Sequence, residues 1–186
     1  MIVTMFDYDK FDLQYIVYTL KQRDRMVSMK YPNERFKVYI VGGAALMIYG
    51  QVSKITNDID VISISDKKIE NIMLAEPIND RVRSSLDSFS TEAETRAQLV
   101  DIEGGTLSVD YYMYSLEDIV ASKLYAGRRK DLIDLKNTYI KEIIDYDLLD
   151  IIVYEEMKMD ALNERRWQEL VDYYERYKEG TLWDDL

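Results

Sequence analysis

The sequence predicts an α+β fold: a short mixed β-sheet flanked by helices, followed by a C-terminal helical segment. Three observations predict it. Short β-branched runs alternate with stretches of helical spacing as far as Tyr114. From Ser115 onward the apolar residues recur only at helical intervals. No repeat, low-complexity tract or long linker interrupts the 186 residues, a length suited to one core-bearing domain with an extension. The division falls between residues 1–114, an α/β core with its N-terminal helix, and residues 115–186, a helical region packed on that core.

Residues 9–29 carry Phe11, Leu13, Ile16, Val17, Leu20 and Met26 at helical spacing, with Asp9 as the expected cap. Tyr31-Pro32-Asn33 ends that helix, because a residue before proline avoids the α region. Phe36 to Val41 reads as a strand, Gly42-Gly43 as a turn, and residues 44–49 as a short buried helix closed by Gly50. A second strand covers Asp58 to Ser65, and helices are expected at 66–75 and 78–89. Strands at 98–102 and 107–112 flank the turn Glu103-Gly104-Gly105-Thr106. Ser115-Leu116-Glu117-Asp118 resembles a capping box and opens helices at 116–127, 130–142, 147–157 and 160–178.

Composition removes several chemistries. There is no cysteine, so disulfides, zinc–thiolate sites and thiol nucleophiles are excluded. There is no histidine, which removes the imidazole base, imidazole metal ligands and every Ser-His triad. A metal site would then be built from oxygen ligands, which favours magnesium, manganese or calcium over zinc or copper. The net charge of −11 argues against a broad nucleic-acid-coating surface and leaves room for a local basic groove. No apolar run is long enough to span a membrane, and the first residues lack the pattern of a secretory leader, so a cytoplasmic location is expected.

Three constellations could carry chemistry. Gly42-Gly43 stands at a strand-to-helix turn, where glycines let backbone approach a phosphate, although many such turns use Gly-Gly without a ligand. Asp58 and Asp60, two apart on a strand, point to one face and repel unless a cation sits between them; the alternative is a pair of solvated acids on an edge strand. Asp110 lies in the apolar run Leu107 to Tyr112, where an acid is costly without a cation. If the two strands are neighbours, Asp58, Asp60 and Asp110 form a carboxylate triad able to hold magnesium ions for attack on phosphorus. Between Lys123 and Lys141, six basic residues stand against only Asp131 and Asp134, a reversal of the chain's overall sign. That segment is either a solvated helix face with internal ion pairs or a phosphate contact made by Lys123 with Arg128, Arg129 or Lys130 nearby.

Taken in order, these pieces resemble the nucleotidyltransferase superfamily that includes the DNA polymerase β-like and minimal nucleotidyltransferases. The signature there is an apolar residue, Gly, then Gly or Ser, and an Asp-x-Asp or Asp-x-Glu further on. Here it is Val41-Gly42-Gly43, fourteen residues, then Asp58-Ile59-Asp60, a gap slightly longer than usual. Residues 36–136 look most like the bacterial branch related to AbiEii abortive-infection toxins, through "VGGAALMIYG", "TNDIDV" and "LEDIVASKLYAGRRKDLIDL". The resemblance implies that Asp58 and Asp60 bind Mg2+ (or Mn2+), with Asp110 as the third acid. It implies that Gly42 and Gly43 cradle a triphosphate touched by Lys123 and Arg128, with Asp131 and Asp134 orienting the basic residues or the acceptor. The implied reaction moves a nucleoside monophosphate from a nucleoside triphosphate to a hydroxyl of a tRNA end or a protein, and an antitoxin partner is a further expectation. The alternative expectation is a catalytically silent member that binds nucleotide or a protein partner; Tyr173, Tyr174, Tyr177 and Trp183 could form its interaction surface, although the favoured reading is that they pack the last helix on the core.

Overall fold

The computed structural model describes residues 12–50, 56, 58–80, 88–136, 140–161 and 163–184. It is an α+β structure with a five-stranded mixed sheet in the order β3-β2-β1-β5-β4. Those strands are β1 (Phe36–Val41), β2 (Ile59–Ile64), β3 (Ile78–Asn79), β4 (Gln98–Leu99) and β5 (Val109–Met113). Central strand β1 runs antiparallel to β2 and parallel to β5. All of β1 except Lys37 is buried, as a strand with neighbours on both edges requires.

Helix α1 (Leu13–Lys30) is capped by Asp12, whose carboxylate accepts a hydrogen bond from the Tyr15 amide. The cap expected at Asp9 lies outside the described residues. Ile16, Leu20 and Val27 form the buried face, and Asp24 is buried among them. Asp24 is held by three backbone donors: the amides of Leu107, Ser108 and Val109 reach its carboxylate at 2.7, 2.7 and 2.8 Å. The Tyr111 hydroxyl donates to the carbonyl of Leu20 at 2.8 Å, so α1 is fastened along the entry and length of β5. Helix α2 (Gly42–Ile48) begins at the end of β1, starting on the glycines themselves rather than after them.

The expected helix at 78–89 does not begin as one. Ile78 and Asn79 form β3, parallel to β2, because Ile78 gains burial against the sheet and the amide of Ile59 finds the carbonyl of Pro77 at 2.9 Å. Residues 81–87 lie outside the described residues. The stretch expected as one helix over 66–75 is a short tight turn at Lys67–Ile69 followed by α3 (Glu70–Met73).

Helix α4 (Leu116–Ala126) starts at Ser115, whose hydroxyl accepts from the Asp118 amide at 3.1 Å. The Asp118 carboxylate does not close a capping box. It accepts from the Ser115 hydroxyl and from both Nε and Nη2 of Arg96, at 3.0 and 2.7 Å. Arg96 also donates to Glu156, which ties the segment before β4 to the helical region. After α4 come α5 (Arg129–Lys136), α6 (Ile140–Ile143) and α7 (Tyr146–Ile151). The chain then widens into a π-helical turn at Ile152–Glu156, tightens again into α8 (Met157–Asp160), and ends with α9 (Glu164–Glu179). Leu170, Tyr174 and Tyr177 bury one face of α9.

Asp24→Ala strips three amides near β5 of their acceptor, and is expected to lower stability by about 3 kcal/mol. Urea unfolding monitored by circular dichroism checks this; an unchanged midpoint would contradict the anchoring role.

Candidate active site

The antiparallel register places Asp60 opposite Val41, so its carboxylate stands at the corner where β1 turns into α2. Gly42 occupies that corner with φ of +67°, and a β-carbon built on it would lie 2.8 Å from Oδ2 of Asp60. Both the backbone angle and the closeness of the acid call for glycine. Gly43 lies beside Thr56, since a β-carbon there would sit 3.3 Å from its Oγ1. The same hydroxyl donates to the carbonyl of Asp58 at 2.9 Å. The glycine pair and the segment carrying both acids are therefore in direct contact.

Asp60 is half-buried, and its carboxyl is pushed up to about 6. Burial is the largest cause and the charge of Asp58 the second; Lys130, a hydrogen bond from Asn79, and Lys123 pull it back down. Asn79 reaches Asp60 because β3 pairs those two residues across to β2. Sequence reasoning missed Asn79, which it placed in a helix, and Thr56, which precedes the acids without belonging to the Asp-x-Asp pattern.

The basic arm lies near enough to this corner for Lys130 and Lys123 to draw the Asp60 carboxyl down. Lys123 on α4 is buried, with Nζ 3.2 Å from Asp131 and 2.9 Å from Asp134, both buried on α5. Nε of Arg128 reaches the other oxygen of Asp131 at 2.5 Å. Arg128, Arg129 and Lys130 are exposed. The internal ion pairs of the solvated-face reading are present, Arg128 with Asp131 at (i, i+3) among them, but Lys123 is buried, and its two carboxylates offset the desolvation of the ammonium. An ammonium has three hydrogens, and the two aspartates engage two of them. The arm's positive field nonetheless reaches Asp60, as the pull of Lys130 and Lys123 on its carboxyl records.

Asp110 corrects the expected triad. The parallel pairing of β1 with β5 sets it opposite Lys37, at the other end of β1 from Gly42. Lys37 stands four residues along β1 from Val41, the residue opposite Asp60, a rise of about 13 Å. The cation Asp110 needs is the guanidinium of Arg35, with which it forms an ion pair. Among the described residues no group of three or more acids is placed to hold a metal ion. Asp58 and Asp60 still suit a hard divalent cation. Magnesium commonly takes one or two carboxylates and completes its shell with water and substrate phosphates. The raised carboxyl of Asp60 marks repulsion that such a cation would relieve.

That carboxyl also sets a pH dependence. Its folded value, about 6, lies above its ordinary 3.8, so the folded chain holds the proton more tightly. The resulting stabilisation is full below about pH 4 and is lost as pH rises through about 6. Asp60→Asn is therefore expected to melt higher than the native chain at about pH 8, with the difference shrinking toward about pH 4. Thermal melts across that range test it, and a constant or reversed difference would contradict the assignment.

Helices, sheet and acid corner together agree with what comparison finds. No curated protein and no solved structure matches the chain. Among the described residues no helix is long and apolar enough to cross a membrane. A family model described as "nucleotidyltransferase of unknown function (DUF6036)" matches residues 18–182, which include α2, both acids and the whole basic arm. The chain belongs to that family of nucleotidyltransferases.

Proposed function

We propose that the chain is a magnesium-dependent nucleotidyltransferase that moves a nucleoside monophosphate from a nucleoside triphosphate to a hydroxyl of an RNA end or a protein. The observation that carries the reading is the corner where Gly42 meets Asp60 while Lys123 and Lys130 act on the same carboxylate. Such a corner offers glycine backbone and positive charge for phosphates beside carboxylates for a metal.

In this reading Asp58 and Asp60 hold Mg2+ (or Mn2+). The ion, when bound, neutralises phosphate charge and orients the triphosphate. Gly42 and Gly43 let the chain approach the phosphates without a side chain intervening. Arg128 and Lys130 reach out from the exposed rim, while Asp131 and Asp134 hold Lys123 in a fixed orientation. The acceptor oxygen attacks the α-phosphorus, the bond to the oxygen bridging α and β breaks, and pyrophosphate leaves. The hydroxyl's proton passes to the carboxylate pair, since the chain has no imidazole to take it. Catalysis is then chiefly positioning and charge neutralisation. The likeness to AbiEii-related toxins supports a toxin role with an antitoxin partner as part of the same proposal.

A second reading has a specific observation behind it. Asp110 is taken up by Arg35, and Lys123 is already engaged by two aspartates, an arrangement that suits a chain that binds nucleotide without transferring it. Two measurements together separate the two. Magnesium with each nucleoside triphosphate is expected to raise the melting temperature, and Asp58→Asn or Asp60→Asn to remove the rise. Incubation with labelled triphosphates and total RNA or protein is expected to label an acceptor, again lost in Asp60→Asn. Binding without labelling would favour the silent reading, and no thermal response to any triphosphate would sink both.

A further inference from the structure

We propose that Tyr173, on the C-terminal helix α9, is a positioning residue for the basic arm, so that triphosphate affinity depends on α9 being seated against the turn between α4 and α5. The proposal rests on the reading of the site given above. Gly127 makes that turn. Its φ is +60°, and its amide donates to the carbonyl of Lys123 at 3.1 Å, closing α4 with a left-handed cap. The ring of Tyr173 occupies the space a side chain at Gly127 would need: a β-carbon built there would lie 2.8 Å from Cε2. At Tyr125, two residues before Gly127, the ring centre lies 5.2 Å from the guanidinium of Arg166, also on α9. Helix α9 thus grips both Tyr125 and Gly127, and its buried Leu170, Tyr174 and Tyr177 fix it to the core.

What the turn carries makes the contact functional. Arg128 follows Gly127 directly, and its Nε bonds the same Asp131 that holds Nζ of Lys123. A shift of the turn therefore moves Arg128 through the chain and Lys123 through the shared aspartate. Tyr173 acts through these residues by packing alone, because its approach to Gly127 is made by ring carbons. The same contact gives α9 a role that its exposed, highly charged sequence conceals: it is the brace of a phosphate-facing turn.

The test is equilibrium titration of magnesium with each nucleoside triphosphate, and with inorganic triphosphate, into the full chain. Tyr173→Ala is expected to weaken binding on the order of tenfold or more, as misplacement of contacting groups does. Tyr173→Phe keeps the ring carbons and is expected to restore affinity to within about twofold of the native chain. Gly127→Ala strikes the contact from the other side and is expected to weaken binding too. Combined with Tyr173→Ala it should cost less than the two separate losses, because the shared contact is lost once. A folded Tyr173→Ala with native affinity overturns the proposal, as does a weak Tyr173→Phe. If Tyr173→Ala does not fold, native affinity in Gly127→Ala overturns it instead. A native chain that binds no triphosphate overturns the reading of the site itself, a result distinct from either of these.

Discussion

Val41 and Asp60 face one another across β1 and β2, and that one register brings a carboxylate onto the first residue of α2. Strand side chains alternate, so a slip of a single residue would turn Asp60 to the opposite face and bring Ile59 or Val61 to the corner. The register is held from several sides. Ile59 and Val61 are fully buried, Asn79 on β3 bonds the Asp60 side chain, and Gly42 leaves room for the acid where any other residue would collide. The raised carboxyl of Asp60 is the electrostatic mark of this arrangement: a charge drawn out of water next to another of the same sign.

Charge elsewhere in the chain is handled differently, and the contrast isolates the corner. Asp24 is spent on three backbone amides, Asp110 on Arg35, and the fully buried Asp118 on Arg96. Each is an acid whose partner is built into the fold. Lys123 with Asp131 and Asp134 is the same device with the sign reversed, two carboxylates around one ammonium. Such a buried cluster tolerates little displacement, since removing one member leaves a charge unpaired in a poorly solvated place. That intolerance makes the α4–α5 turn a mechanical unit, and the packing of α9 against Gly127 and Tyr125 then bears directly on where the basic arm stands.

Much of this was legible in the residues. The strand at 36–41, the glycines where it gives way to a helix, the strand bearing Asp60, and the helix carrying Lys123 follow from local pattern, and their order pointed to the nucleotidyltransferases to which the chain belongs; Asp58 stands just before its strand rather than within it. Asp110 shows how such reasoning goes astray. An acid on an apolar strand does need a cation, and the inference was sound to that point. The cation is a guanidinium from the neighbouring loop, because β5 runs parallel to β1 and carries Asp110 to the far end of the sheet. Strand direction is a property of the assembled sheet and leaves no mark in the local sequence. Asn79 was hidden for a similar reason, as β3 is two residues long and owes its strand conformation to β2.

Local sequence settled the types of group available: oxygen ligands without imidazole or thiolate, glycines at a turn, and a cluster of positive charge in an acidic chain. Those follow from composition and short-range spacing, which do not depend on how distant segments meet. Tertiary structure decided which groups stand together. It joined Asp60 to Gly42, Asn79 and the field of Lys130, withdrew Asp110, placed Lys123 between two aspartates, and set Tyr173 against the turn beyond it. The reason is that strand register, strand direction and helix docking are fixed by burial summed over the whole core. No single stretch of sequence contains that sum.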